Sequence, residues 1–268
     1  AYTVTKYPCF NALNEPLWPD RWDSDALLQR KAEIGSLKFT REYLCVPIST
    51  GTSLFNPEYI TKCKNKEYVL KLGNRKDKGY KYYVGVDPAI STDGDYNVIT
   101  VLEVDDEANK TIVHVDRAKN VEFRENIEKI RLIGKIFQPE VVLYETNTFA
   151  KAFTQELRSI SDLNVKDFNT TRKKKQEIIL NLQMNIENGK INFPYGDNNS
   201  RRLTNLLIEE LSMFSITESG RFEGVGAHDD LVMSLALANA ATQSPAENFI
   251  LLDDMDLFDR DIRNELLR

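Results

Sequence analysis

At 268 residues, with 41% hydrophobic and 28% charged content, the chain is long enough for one large domain with a sizeable core. No apolar run approaches the roughly 20 residues that cross a bilayer, so no membrane partner is expected. A net charge of −6 argues against a general nucleic-acid coat protein, but the acidity is uneven. Residues Ala246 to Arg268 hold seven acidic and three basic side chains, so this stretch alone carries −4. The remainder is near neutral and contains basic clusters. The cysteines Cys9, Cys45 and Cys63 form no CxxC pair and only two histidines accompany them, which argues against structural zinc and for a reducing compartment. The opening Ala1-Tyr2-Thr3 lacks an initiator Met and signal-peptide architecture, so the chain reads as a piece of a longer or processed polypeptide.

Five of the nine prolines fall in the first 75 residues, around two short helix patterns, Ser24–Lys31 and Ser36–Leu44. This region reads as an arm or linker packing on the main domain, followed by a polar loop at 71–81. From Tyr82 the pattern becomes regular. Short β-branched runs at 82–86, 98–104 and 111–115, separated by Asp, Gly and Asn, predict three successive strands. Val121, Phe123, Ile127, Ile130 and Ile133 to Phe137 then recur at helical spacing. A strand at 140–144, a helix near 149–160, a strand near 164–168 and helices at 174–188 and 199–213 follow. Phe214–Thr217 and Arg221–Gly224 flank Glu218-Ser219-Gly220 as a hairpin. A last helix starts at Asp229. The order of three meandering strands, then helix–strand alternation, then a final helix implies a mixed sheet with helices on both faces, strands one and four adjacent at its centre, and the last helix across their carboxyl ends.

Three acidic signals sit where strands end or a helix begins: Asp87 after Tyr83-Val84-Gly85-Val86, Glu145 after Val141-Val142-Leu143-Tyr144, and Asp229-Asp230 before Leu231-Val232-Met233. Each has a structural alternative. Asp87, followed by Pro88, is also a strand-terminating turn residue, and Glu145 the hydrophilic end of a buried strand. One of Asp229 and Asp230 serves equally as a helix N-cap. Together, carboxylates that converge with nothing basic beside them repel one another and favour a divalent cation. Two Mg²⁺ or Mn²⁺ ions held this way are common machinery for phosphodiester cleavage. His228 is placed to orient a carboxylate or touch phosphate, or to stabilise its turn; Asp93 and Asp95 lie in the loop after Asp87.

Among the basic features, Arg172-Lys173-Lys174-Lys175 precedes a helix, where a cationic run opposes the helix dipole and suits an anionic partner. Arg201-Arg202 extends the track.

The chain resembles the nuclease domain of the large terminase subunit of tailed bacteriophages, up to about residue 243. The resemblance is carried by Leu17-Trp18-Pro19-Asp20-Arg21-Trp22, Ile34-Gly35-Ser36 through Leu44, Val86-Asp87-Pro88-Ala89 with Gly94-Asp95-Tyr96, Asn188-Gly189-Lys190-Ile191-Asn192-Phe193-Pro194, and His228-Asp229-Asp230-Leu231-Val232. It implies an RNase H-like fold: a mixed five-stranded-type sheet with helices on both faces, plus an N-terminal arm and an added β-hairpin. It implies an endonuclease cutting double-stranded concatemeric DNA when packaging starts and ends, in the bacterial host cytoplasm. Asp87, Glu145 and Asp230 would be catalytic metal ligands, Asp229 an additional one, Asp95 a secondary acid. Arg172, Lys173, Lys174, Lys175, Arg201 and Arg202 would contact DNA. Family members also carry an ATPase motor and work with a portal and a small subunit. No GxxxxGK[ST] motif occurs here, so the motor is expected outside this chain. The implied division is 1–75 arm, 76–243 nuclease domain and 244–268 acidic tail, the last unexplained by the family pattern. Two other readings share these features: a Holliday-junction resolvase or transposase-like nuclease, and a non-catalytic module docking on the portal or motor.

Overall fold

The structure, a computed structural model, describes residues 5–11, 13–46, 53–72, 79–88, 96–146, 155–159, 162–217, 221–224 and 228–243. The acidic tail, Asp93, Asp95 and most of the 71–81 loop lie outside the described residues.

Nine strands are present among them: β1 (Lys64–Asn65), β2 (Lys81–Asp87), β3 (Tyr96–Val104), β4 (Lys110–Lys119), β5 (Val141–Thr146), β6 (Val165–Asn169), β7 (Ile191–Pro194), β8 (Phe214–Ile216) and β9 (Phe222–Gly224). The helices are α1 (Ser24–Ile34), α2 (Ser36–Glu42), α3 (Pro57–Lys62), α4 (Phe123–Phe137), α5 (Arg172–Glu187), α6 (Asn198–Met213) and α7 (Asp230–Ala241), with a helical turn at 155–159. The main sheet has seven strands in the order β1-β7-β4-β3-β2-β5-β6, and β8-β9 form the expected hairpin. β2, β3 and β4 are antiparallel neighbours, whereas β2–β5 and β5–β6 are parallel. Strands one and four of the regular region, β2 and β5, are therefore adjacent, as expected. The five strands read from sequence form one continuous block, and β7 and β1 extend its edge.

The sheet separates two cores. On one face, Tyr82, Val84 and Val86 of β2 join Ile99, Val101, Val142 and Tyr144 against the apolar stripe Ile127, Ile130, Ile133 and Phe137 of α4. Side chains alternate along a strand, so Gly85 and Asp87 point to the other face, as Leu143 and Glu145 do on β5. That face is covered by α7, whose residues 231–239 are buried without interruption, and then by α5 and α6. Being apolar all round, α7 has no face for water and is sandwiched. Leu54, Phe55, Ile60 and Cys63 lie in this second core, and Leu54 N–H donates to the Phe214 carbonyl. Ser36 ties α2 to α5, its N–H donating to Glu187 Oε2 at 2.9 Å.

Helix α7 does not lie across the strand ends, as expected, but along the sheet face, packing on β2, β3 and β5. Gly85 permits this, because a Cβ there would stand 2.2 Å from the Ser234 carbonyl oxygen and 2.3 Å from Ala238 N. Ser234 Oγ donates to the Gly85 carbonyl at 3.0 Å and lies 2.9 Å from Thr100 Oγ1. The helix thus packs on β2 through Ser234 and Ala238, with its first residue, Asp230, near Asp87 at the carboxyl end of that strand.

Candidate active site

β2 and β5 run parallel with Val86 opposite Tyr144, so the next residue on each strand is a carboxylate, Asp87 beside Glu145. Both point to the α7 face, where Asp230 opens the helix. The charges of Glu145, Asp230 and Asp229 all act on Asp87. Loss of water is the largest effect, the three neighbouring carboxylates add to it, and the Asp87 carboxyl is held well above the usual range. It is hydrogen-bonded to Glu145, and two carboxyls that touch share a proton. The second and third signals therefore meet the first.

The expectation of acids with nothing basic beside them is corrected by the structure. Lys175 Nζ donates to Asp229 Oδ2 at 3.0 Å, and His228 Nδ1 lies 3.5 Å from Asp230 Oδ2. Tyr96 N–H also donates to Asp230 Oδ2, at 3.3 Å. The basic run begins the helix instead of preceding it: Thr171 caps α5, its hydroxyl accepting from Lys174 N–H at 3.3 Å. Helical geometry then splits the run. Arg172, Lys173 and Lys174 are exposed, while Lys175 turns inward to Asp229. The contact sets the cationic first turn of α5 at the rim of the acids. Arg201 and Arg202 stand apart at the start of α6; Arg201 donates to the Tyr195 carbonyl at 3.1 Å and Arg202 to Asn199 Oδ1 at 3.4 Å.

Neither aspartate side chain caps α7, the structural alternative weighed for this pair. Asp229 occupies the N-cap position but makes no capping bond with its side chain. The cap comes from a residue that the sequence reading passed over: Glu210 of α6, 5% exposed, whose Oε2 accepts from Leu231 N–H at 2.8 Å and Val232 N–H at 3.3 Å. Burial pushes Glu210 up to about 7, against the lowering pull of those amides and of Arg117, whose Nη2 is 3.6 Å from Oε1. The signal was present, since Glu210 interrupts the buried stripe Leu203, Leu207 and Leu211 of an amphipathic helix. Arg117 also lies 3.4 Å over the ring of Tyr96, which Lys119 and His228 flank.

The described residues resemble known proteins across most of their length. The family model described as "Terminase RNaseH-like domain" matches residues 84–241, more than half of the chain. The chain belongs to the terminase RNase H-like domain family. A terminase large subunit of Thermus virus P23-45 is 26% identical over 248 residues, covering 88% of this chain and 47% of the relative. The chain thus spans about half the length of the curated relatives that it matches. Among solved structures, the large terminase nuclease of thermophilic phage G20c with bound magnesium aligns with TM-score 0.57 at 23% identity, covering 72% of this chain and 98% of that one. The large terminase of the HK97 bacteriophage aligns with TM-score 0.53 at 12% identity, over 81% and 49% respectively. The terminase family fold, an RNase H-like mixed sheet with helices on both faces, is what this chain adopts.

The donor set of this terminase-family site is hard oxygen throughout, which suits Mg²⁺ or Mn²⁺ over softer metals. The crowding that raises Asp87 is the imbalance a cation relieves. Among the described residues no three such side chains already close on one point; the acids are engaged in pairs, with each other, Lys175 and His228.

Proposed function

We propose that this chain is a divalent-metal-dependent DNA endonuclease domain of a terminase large subunit. The convergence of Asp87, Glu145, Asp229 and Asp230 beneath the cationic first turn of α5 carries the reading. Asp87, Glu145 and Asp230 would hold the ions, with Asp229 an additional ligand. Two bound Mg²⁺ or Mn²⁺ ions would supply an activated water and stabilise the leaving 3′ oxygen. Asp87, hydrogen-bonded to Glu145 and acted on by the charges of Asp229 and Asp230, would help to hold both ions. Arg172, Lys173 and Lys174 attract the phosphate backbone without reading sequence, which suits cutting of double-stranded concatemeric DNA at the start and end of packaging. Lys175, joined to Asp229, would bring positive charge beside the acids that act on the phosphate. Asp95 belongs to the same reading as a secondary acid. Arg201 and Arg202 extend the DNA path. The full-length protein would bring an ATP-driven motor and work with a portal and a small subunit in the host cytoplasm. Residues 1–75 would form its arm, 76–243 the nuclease unit and 244–268 a tail.

The G20c nuclease, solved with bound magnesium, cobalt and zinc, supports a divalent metal. The test is cleavage of supercoiled plasmid with Mn²⁺ or Mg²⁺. Asp87→Ala, Glu145→Ala and Asp230→Ala should each lower the rate by at least about a hundredfold while circular dichroism stays native. Full activity of the Asp87→Ala protein, or cleavage that survives EDTA, would refute the proposal.

A further inference from the structure

A helix that presents two carboxylates at its first turn has a conflict to resolve. Its leading N–H groups need acceptors, and an aspartate at the N-cap normally supplies one by folding its side chain back over the turn. That arrangement would commit the oxygens of Asp229 to the helix. Here its side chain makes no such bond, and reaches Lys175 instead. The acceptor is supplied from a different helix by Glu210 Oε2, at 2.8 Å from Leu231 N and 3.3 Å from Val232 N.

The same side chain is anchored from the other side. Its Oε1 lies 3.6 Å from Arg117 Nη2. The Arg117 guanidinium stacks 3.4 Å over Tyr96, and the Tyr96 N–H donates to Asp230 Oδ2 at 3.3 Å. A closed circuit results: Glu210 holds the helix start that carries Asp230, Arg117 holds Glu210, and Tyr96, beneath Arg117, holds the Asp230 carboxylate. Glu210 is 5% exposed and Arg117 Nε is buried without a hydrogen-bond partner, so the pair is held away from solvent. A buried carboxylate set into an apolar helix face is costly, and a plain leucine at that position would pack.

We infer that Glu210 is a positioning residue for the metal site, capping α7 in place of Asp229 so that Asp229 and Asp230 present their carboxylates to the ions. This assignment rests on the metal-nuclease reading. Residues that hold ligands in place affect metal affinity by about ten- to a hundredfold, and Glu210 should behave accordingly.

The experiment compares the whole chain with its Glu210→Ala and Glu210→Gln variants in three measurements. These are Mn²⁺ binding by calorimetry, the Mn²⁺ concentration giving half-maximal plasmid cleavage, and melting temperature in EDTA. Glu210→Ala should weaken Mn²⁺ binding and raise the half-maximal concentration by about tenfold or more. Glu210→Gln keeps an acceptor for the two amides and should return both to within about threefold of wild type. A Glu210→Ala protein that melts earlier yet binds Mn²⁺ normally would show a purely structural cap and overturn the assignment. So would Glu210→Gln binding Mn²⁺ tenfold more weakly than wild type, and that comparison decides even if Glu210→Ala fails to fold. Absence of Mn²⁺ binding by the wild type, or undiminished cleavage by Asp87→Ala, would instead refute the nuclease reading and this assignment with it.

Discussion

Replacing Gly85 by alanine adds one methyl group, yet it should disturb the site from a distance. The added Cβ would stand 2.2 Å from the Ser234 carbonyl oxygen, 2.3 Å from Ala238 N and 3.0 Å from Ala238 Cα. All three are backbone atoms of α7, so no side-chain rotation relieves the overlap, and Ala238→Gly should not rescue it. Comfortable contact lies near 3.5–4.0 Å, so the helix must withdraw by roughly 1 Å. Overpacking of this kind costs about 1–3 kcal/mol, and straining the buried Ser234–Gly85 hydrogen bond adds about 1 kcal/mol. For a domain of this size that is a fall of about 5–15 °C in melting temperature. Asp230 begins the displaced helix, and a 1 Å misplacement can cost about a hundredfold in rate. Thermal unfolding by circular dichroism in EDTA reads the first effect. Mn²⁺-dependent plasmid cleavage, well below the variant's own melting point, reads the second. A Gly85→Ala protein melting within about 2 °C of wild type and cleaving normally would refute the view that α7 is seated by this contact.

Two further outcomes follow from the charges of the site. Burial raises Glu210 from 4.5 to about 7 and raises Asp87 above its ordinary 3.8, so the folded state holds these protons more tightly than the unfolded chain. Stability of the metal-free protein should therefore be fullest below about pH 4.5 as far as Glu210 is concerned, and be lost as pH rises through about 7. The Glu210 part amounts to at most about 3 kcal/mol. Melting temperatures in EDTA that rise across this window would contradict it, and Glu210→Gln should flatten the fall. Lys175→Met removes the counter-charge of Asp229; the metal-free protein should lose about 1 kcal/mol while Mn²⁺ binds about fivefold more tightly, having no ammonium to displace. Weaker Mn²⁺ binding by calorimetry would show that Lys175 assists the ion instead of competing with it.

Much of the architecture was legible because the central strands are short, β-branched and bounded by turn residues, and α4 carries a clear stripe. The pairing Asp87 with Glu145 was legible only in part. Each carboxylate visibly ended an apolar run, but the register that sets Val86 opposite Tyr144 is a long-range fact. The edge strands β1 and β7 escaped notice because two and four residues leave too little pattern to read, and their order comes from parallel pairing with each other and with β4. The position of α7 was missed for a subtler reason. An all-apolar helix announces burial but not direction, and the direction comes from the space left by Gly85.

Glu210 and Lys175 show where reading acids and bases as separate lists breaks down. The four carboxylates proposed to hold cations must also fold without them. The structure partners each of them: Asp87 and Glu145 share a hydrogen bond, Asp229 takes the Lys175 ammonium, and Asp230 takes the Tyr96 amide beside His228. These partners leave Asp87 crowded, its carboxyl held well above the usual range by burial and by its three neighbouring carboxylates. On the proposed metal-binding reading, a cation would relieve this crowding, and part of its affinity would come from relief of the fold. On this argument Asp87→Asn should yield a metal-free protein at least as stable as wild type, with Mn²⁺ no longer raising its melting temperature. Equal Mn²⁺ stabilisation of both proteins would place the ion elsewhere.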